Sequence, residues 1–287
     1  MNDLFVLEDV GRDKTLVKIL EVNEDSIDSA NKILNFNKND YISNAFNFDG
    51  SYKPDENECL KIESFELPVE VIRAIRNPLG VEKLDAKTKN KLNIRAIFSP
   101  LEAGSADKVI FQRIHKNQIL MSHQLSLIWD KNTFVPIKKP GIVISQKIDA
   151  YYESKTLYFK SYYWAKQIFN LDKYYREATD TDIKNFLEHK YFEVDDKDTI
   201  ISNCNNWSRK KIAYILDSKV LEVNSYSNIM RAADKLKLDL ETTDEQKIIY
   251  PKDKKKQKRL LSFLSDEIYR GGLTNKLFIT NSKRNIK

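Results

Sequence analysis

The spacing of apolar residues changes near residue 160, and this change limits the folds that the chain can adopt. Before it, apolar residues form short runs or alternate with polar ones, as in segment 94–98. After it, they recur every three or four residues, as Trp164, Ile168 and Leu171 do. Runs and alternation are typical of strands, and the longer period is typical of helices. The sequence therefore predicts an α+β protein with a strand-rich antiparallel N-terminal half and a helical C-terminal half.

The strands predicted before residue 160 include a hairpin, whose turn is expected at Asp130, Lys131 and Asn132. No strand is followed by a glycine-rich turn and a helix, so an antiparallel meander is favoured over repeated strand–helix–strand units. We expect two domains. One is strand-rich and spans residues 1–160, and the other is mainly helical and basic and spans residues 161–287.

The C-terminal half contains several helix signals. Thr179 or Thr181 is expected to cap the first helix, and Ser208 to cap the second, because short hydroxyl side chains satisfy the amide groups at a helix start. The predicted helices span residues 182–189, 208–221, 228–238 and 254–269. In the N-terminal half, residues 39–60 are polar and rich in asparagine and are predicted to form a long loop.

Charge is distributed unevenly along the chain, which has 48 basic and 42 acidic residues and a net charge of +6. Residues 1–70 contain 7 basic and 16 acidic side chains, whereas residues 201–287 contain 19 basic and 10 acidic ones. Such polarity favours either the binding of a polyanion at the basic end or contacts between copies of the chain. Both alternatives remain open at this point.

Three basic clusters lie in the C-terminal third. The densest has six cations in residues 252–259, directly before an apolar helical stretch. Cations at a helix start oppose the helix dipole, and this cost indicates contact with a polyanion. The alternative is that the three clusters are separate solvated patches. No base-reading module is present, so the sequence predicts contact with a nucleic-acid backbone that does not depend on base sequence. The candidate DNA-binding residues are Arg209, Lys210, Lys211, Lys252, Lys254, Lys255, Lys256, Lys258, Arg259, Lys283 and Arg284.

The sequence lacks the common catalytic and cofactor motifs. There is no GxxxxGK[ST], no GxGxxG and no GxSxG. His115, His123 and His189 form no metal-binding pair, and Cys59 and Cys204 form no CxxC, so both thiols are expected to be reduced. We predict no catalytic residue, no metal and no cofactor.

A metal-dependent nuclease is the enzymatic alternative. Asp149 precedes the triplet Glu153-Ser154-Lys155, and two carboxylates with a lysine can hold Mg²⁺ and stabilise the attacking water. So short a triplet also arises by chance in a chain with 42 acidic residues. More weight therefore lies on a protein without catalytic activity.

No apolar run approaches the roughly 18 residues that a membrane span requires. The first residues also lack the basic and apolar regions of a secretory signal. We therefore expect a cytoplasmic protein.

Several segments resemble one known family. The similar segments are residues 158–169 (YFKSYYWAKQIF), residues 171–179 (LDKYYREAT), residues 209–212 (RKKI), Leu273-Thr274, and residues 280–284 (TNSKR). Together they resemble the KwaB-like proteins of the Kiwa anti-phage defence system. The likeness covers about residues 100–287 and contains no catalytic signature.

The resemblance implies a DNA-binding defence effector without enzymatic activity. Such a protein would act with a KwaA-like membrane protein, which would bring it to the inner face of the cell membrane. It would associate with itself, as a homodimer or a higher oligomer, and block phage replication and late transcription. A third alternative is a structural subunit of a membrane-associated defence complex, with its lysines on anionic lipid or on the partner.

Overall fold

The computed structural model describes residues 3–9, 15–34, 36–85, 93–120, 125–137, 139–280 and 282–283. The chain divides into two compact units. The first comprises Met1–Phe48 and Pro54–Leu171, and the second comprises Asp49–Lys53 and Asp172–Lys287. The first is built on a large sheet and the second mainly on helices, which confirms the predicted α+β class and its strand-rich and helical halves.

The first unit contains twelve described strands and four described helices, with 3₁₀ turns at Pro78–Gly80 and Lys116–Gln118. In chain order they are β1 Phe5–Asp9, β2 Thr15–Ile19, α1 Glu24–Ile33, α2 Asn39–Ile42, β3 Ala45–Asn47, β4 Cys59–Ile62, α3 Val69–Arg76, β5 Ile94–Pro100, β6 Lys108–Arg113, β7 Ile119–Leu120, β8 Leu127–Asp130, β9 Thr133–Pro136, β10 Gly141–Ile142, β11 Ala150–Glu153, β12 Thr156–Phe159 and α4 Tyr162–Ile168.

Eight of these strands form one sheet in the order β2-β1-β5-β6-β11-β12-β4-β3. Neighbouring strands are antiparallel except β3 and β4, which run parallel. The strands β7 and β10 form a separate pair, as do β8 and β9. Helix α4 packs on β5 and β6, and α3 packs against β2.

The sheet is buried on both faces. On one face, Phe5 stacks on Phe98, and Phe98 stacks on Phe111, with ring centroids 5.1 and 5.5 Å apart. This row forms because the strand register places the three residues directly beside one another. On the other face, Val6 and Ile97 join a second apolar cluster. Burial on both sides explains why the central strands carry apolar runs rather than strict alternation.

The hairpin predicted at residues 130–132 is confirmed. Asp130 pairs with Thr133, and the two residues between them, Lys131 and Asn132, have φ angles of 45° and 64°. Two consecutive residues with positive φ give the turn whose twist matches that of a hairpin.

The prediction of a long loop over residues 39–60 is wrong. This stretch contains α2, β3 and the start of β4, and β4 pairs with β12 inside the large sheet. The elements have only three or four residues each, too few for a visible period. These short elements are held in place by tertiary contacts such as the 2.6 Å hydrogen bond from the Tyr41 hydroxyl to the Ile148 carbonyl.

The second unit contains six described helices and two small sheets, with a 3₁₀ turn at Asp172–Tyr174. Its elements are α5 Asp180–Leu187, β13 Phe192–Glu193, α6 Lys197–Asn203, α7 Asn206–Ser218, α8 Val220–Val223, α9 Tyr226–Lys235, β14 Ile248–Ile249, α10 Lys254–Leu264, β15 Ile268–Arg270 and β16 Leu277–Ile279. Helix α7 packs against both α5 and α10. Their apolar faces form one core.

Two of the predicted helix boundaries need correction. The second helix is capped by Asn205, whose side chain accepts from the Ser208 amide at 3.0 Å, and not by Ser208 itself. The last helix ends at Leu264 rather than near residue 269, because Asp266 has a φ of 55° and leaves the helical region. The predicted cap at Thr179 is confirmed by a 3.1 Å hydrogen bond from the Asp182 amide.

Phe98→Ala should lower the free energy of unfolding by about 3–5 kcal/mol, because it removes the central ring of a buried row and leaves a cavity. The matched control is Phe134→Ala on β9, where the ring is 62% exposed and little change is expected. Urea unfolding followed by circular dichroism measures both. Equal, small losses would contradict a central position of Phe98 in the core.

Candidate nucleic-acid interface

Helix α10 carries most of the strongest basic cluster. Asp253 caps it, with Oδ1 accepting hydrogen bonds from the amides of Lys255 and Lys256 at 3.0 and 2.9 Å. Its C-terminal part buries Leu260, Leu261, Phe263 and Leu264 in the core of the second unit. These consecutive positions surround the C-terminal end of the helix on every side, so the charged residues are confined to its exposed N-terminal turns.

Four cations make up the outward side of α10, and we call them the cationic face: Lys254, Lys255, Lys258 and Arg259. All four are exposed. They form two pairs spaced four residues apart, so the pairs lie side by side along the helix. Within the part of the chain that the structure describes, no carboxylate lies within ion-pair distance of them. The ammonium group of Lys258 lies 5.4 Å from the centre of the Trp207 ring.

The other two lysines of the run are paired with carboxylates. Lys252 contacts Asp195 at 2.8 Å, and Lys256 contacts Glu241 at 2.6 Å. These hydrogen bonds raise the pKa of both lysines. The two side chains still face solvent, but each carries a neutralising partner. They therefore add less positive potential than their number suggests.

The basic cluster at the start of α7 faces the protein rather than solvent. Arg209 donates to the Ala178 carbonyl at 2.9 Å and to Asp180 at 2.6 Å, which fastens α7 to the start of α5. Lys210 lies 3.5 Å from a carboxylate oxygen of Glu177 and 4.3 Å from the centre of the Tyr175 ring.

Lys211 forms an ion pair with the buried carboxylate of Glu267. This residue and its two neighbours in the cluster are at most a quarter exposed at the side chain. The cluster thus stabilises the second unit, and little of its charge reaches solvent.

The third basic cluster is described only at Lys283. Its ammonium group donates to the Ser265 carbonyl and lies 4.1 Å from the centre of the Tyr214 ring, while its amide donates to the Ser51 carbonyl at 3.0 Å. Lys283 is therefore held by contacts within the second unit. Arg284, also a candidate, lies outside the described residues.

The residues of the nuclease alternative lie along one strand and its hairpin turn. Asp149 is 5% exposed, accepts a 2.8 Å hydrogen bond from the Arg113 amide and lies 3.0 Å from Lys147. Glu153 is four residues further along β11, about 13 Å away at the usual rise of a strand. Lys155 is in the β11–β12 turn. The structure does not bring the three together, and no group of three potential metal ligands occurs among the described residues.

A comparison with models of known protein families identifies the family of the chain. A family model described as Kiwa protein KwaB-like matches residues 91–274. The chain belongs to the KwaB-like family. The match runs from the segment before β5 to the β15–β16 hairpin and contains the cationic face. Membership assigns the chain a role in Kiwa anti-phage defence, a system in which several proteins act together.

The other comparisons add no relative. No curated protein and no solved structure matches the chain. Among the described helices of this KwaB-like protein, none is long and apolar enough to cross a membrane.

Sequence reasoning missed two residues of the candidate interface, Asp253 and Trp207. Asp253 had a visible signal, because an aspartate directly before a run of helix formers is a common cap. Trp207 had none, because its position under Lys258 depends on how α7 packs against α10.

Arg209→Gln should destabilise the protein by about 1–3 kcal/mol, because the side chain loses charge-assisted hydrogen bonds that join two helices. Lys258→Gln is the control on the cationic face and should change stability by less than about 0.5 kcal/mol. Thermal and urea unfolding provide the measurement. An unchanged stability of the Arg209 variant would contradict its structural assignment.

Proposed function

We propose that the protein is a defence effector without catalytic activity, which holds double-stranded DNA through the cationic face. The proposal is carried by one observation: four exposed cations lie on one helix side with no carboxylate partner among the described residues. Acting with a KwaA-like membrane protein at the inner face of the membrane, it would hinder phage replication and late transcription on the bound DNA.

The dimensions of the cationic face suit a duplex backbone. Residues 254 to 259 span about 7.5 Å along the helix axis at 1.5 Å per residue. A DNA strand presents one phosphate every 3.4 Å of axis, so the face covers about two phosphates on each strand. Long lysine and arginine side chains reach phosphates without reading bases, which fits binding that does not depend on sequence.

The acidic part of the chain supplies a second surface in this proposal. Helix α1 begins with Glu24 and Asp25 and continues with Asp28, and all three are exposed. Because both this helix and DNA are negatively charged, the helix would not contact the duplex and would contact a protein instead. The basic loops of a membrane partner, or a second copy of the chain in a homo-oligomer, have the complementary charge.

The first test is duplex binding by fluorescence anisotropy over a salt series. For the wild type we expect a log–log slope of about −4, since each phosphate contact adds about 0.9. Replacement of Lys254, Lys255, Lys258 and Arg259 by glutamate should remove most of that slope. Glutamates in the first turn favour the helix dipole, so the variant should remain folded.

The matched control reverses four exposed lysines elsewhere, at Lys116, Lys139, Lys190 and Lys276. It makes the same change in net charge and should keep the slope within about one unit. Equal losses in both variants would show a general charge effect and no localised site. Absence of duplex binding at low salt, with binding to anionic vesicles that the cationic-face variant loses, would replace DNA by lipid as the ligand.

Asp253 offers an independent test, because it caps α10 and also places a negative charge beside the cationic face. Asp253→Asn keeps the cap and removes the charge, so stability should hold and duplex affinity at low salt should rise about twofold. Asp253→Ala should instead cost about 1 kcal/mol of stability. Unchanged affinity in the asparagine variant would place the duplex away from α10.

A further inference from the structure

The first unit contains a pocket of about 270 Å³ that the proposed function does not use. It lies between the segment that leads into α2, the segment before β11 and the start of α4. Its apolar walls are the rings of Phe36, Tyr41 and Trp164, and its polar groups include Lys147, Asp149 and Lys160. The pocket is part of the first unit alone, so the inference from it does not depend on the cationic face.

Buried polar contacts hold one wall of this pocket in place. Gln112 is 2% exposed, and its side-chain Nε2 donates to the Ser145 carbonyl at 2.6 Å and to the Lys147 carbonyl. Its side-chain Oε1 accepts a hydrogen bond from the Ser145 amide at 3.1 Å. The Tyr41 hydroxyl donates to the next carbonyl, that of Ile148, at 2.6 Å. The Asp149 carboxylate accepts a 2.8 Å hydrogen bond from the Arg113 amide. The wall is therefore fixed before any ligand arrives, which lowers the entropic cost of binding.

Cations at the pocket are held in position but are incompletely paired. The Lys147 ammonium lies 3.0 Å from Asp149 Oδ1, yet that oxygen has no hydrogen bond of regular geometry. The Lys147 ammonium also lies 5.1 Å from the centre of the Trp164 ring, and 57% of the Lys147 side chain is exposed. Because an ammonium has three donors, Lys147 retains donors for an anion.

Lys160 supplies a second ammonium to the same lining. Its nitrogen lies 5.4 Å from the centre of the Tyr41 ring, and among the described residues it donates a single long hydrogen bond of 3.5 Å, to the Glu56 carbonyl. The polar residues Gln146 and Ser161 also line the pocket. A lining that combines two ammonium groups, further polar residues and aromatic rings suits a phosphate attached to a flat ring.

We propose that this pocket binds a single nucleotide unit, with the phosphate monoester on Lys147 and Lys160 and the base against the aromatic walls. Its volume is near the lower end of ligand pockets, so it admits one nucleotide and not a folded strand. Asp149 and Asp40 lie in the lining as acceptors for amino groups of a base. The same chemistry is offered by a free nucleotide and by the 5′-phosphorylated end of a DNA strand.

The experiment is calorimetric titration of the full chain with each of the four deoxynucleoside 5′-monophosphates, in the background of the cationic-face glutamate variant. Because this variant lacks the cationic face, binding to the pocket is measured separately from duplex binding, which is measured on the wild type. At least one monophosphate should bind with a Kd below 1 mM. Lys147→Gln with Lys160→Gln should weaken it at least tenfold, and glutamine at 147 keeps a donor for Asp149. The matched control is Lys116→Gln with Lys139→Gln, two exposed lysines of the same unit, and should bind normally.

Further probes separate the parts of the ligand. A nucleoside that binds as tightly as its monophosphate would overturn the phosphate site, and inorganic phosphate that binds as tightly would overturn the base site. Failure of all four monophosphates, or equal binding by the double variant, would overturn the pocket assignment. If a tetrathymidylate with a 5′-phosphate binds, and the double variant does not bind it, the ligand is the end of a DNA strand. Binding by mononucleotides alone identifies a free nucleotide.

Discussion

The candidate interface depends on how α10 is anchored, because its start is exposed and charged whereas its end is buried and apolar. Burial of Leu260, Leu261, Phe263 and Leu264 around its C-terminal end anchors the helix in the core of the second unit, where it packs against α7. Each buried leucine or phenylalanine contributes roughly 1.5–3 kcal/mol, far more than mutual repulsion among exposed lysines costs in water. The cations are thus held together on one side by apolar packing, and they need no stabilising partner of their own.

Charge in the second unit is divided between two uses. Arg209 and Lys211 are paired with carboxylates at helix ends and contribute to the packing of α5, α7 and the segment after α10. Lys254 and Arg259 remain in solvent, where a polyanion can reach them. Since both groups look alike in composition, net charge overstates the part of the surface that is available for DNA.

Local chemistry made much of the fold predictable. The Lys131-Asn132 turn, the cap at Thr179 and the change from strands to helices depend on neighbours in sequence, so the sequence alone indicates them. The strand pairing of residues 59–62 depends on β12, almost a hundred positions later, and no local pattern indicates it. For the same reason the candidate list included Arg209, whose partner Asp180 is 29 residues away. The basic run could be found from sequence, but which of its lysines are paired could not.

The strand order also gives the first 90 residues a structural task. The four central strands β5, β6, β11 and β12 lie within the family match, and they are flanked by β1 on one side and β4 on the other. Without those flanking strands, both sides of the four-stranded core would present unpaired amide and carbonyl groups, the kind of edge through which proteins aggregate. Closing the sheet joins segments that are distant in the chain, so formation of this sheet is expected to be slow compared with the helical unit. During synthesis β1 can pair as soon as β5 has emerged, whereas β4 has to wait for β12 before it can join the sheet.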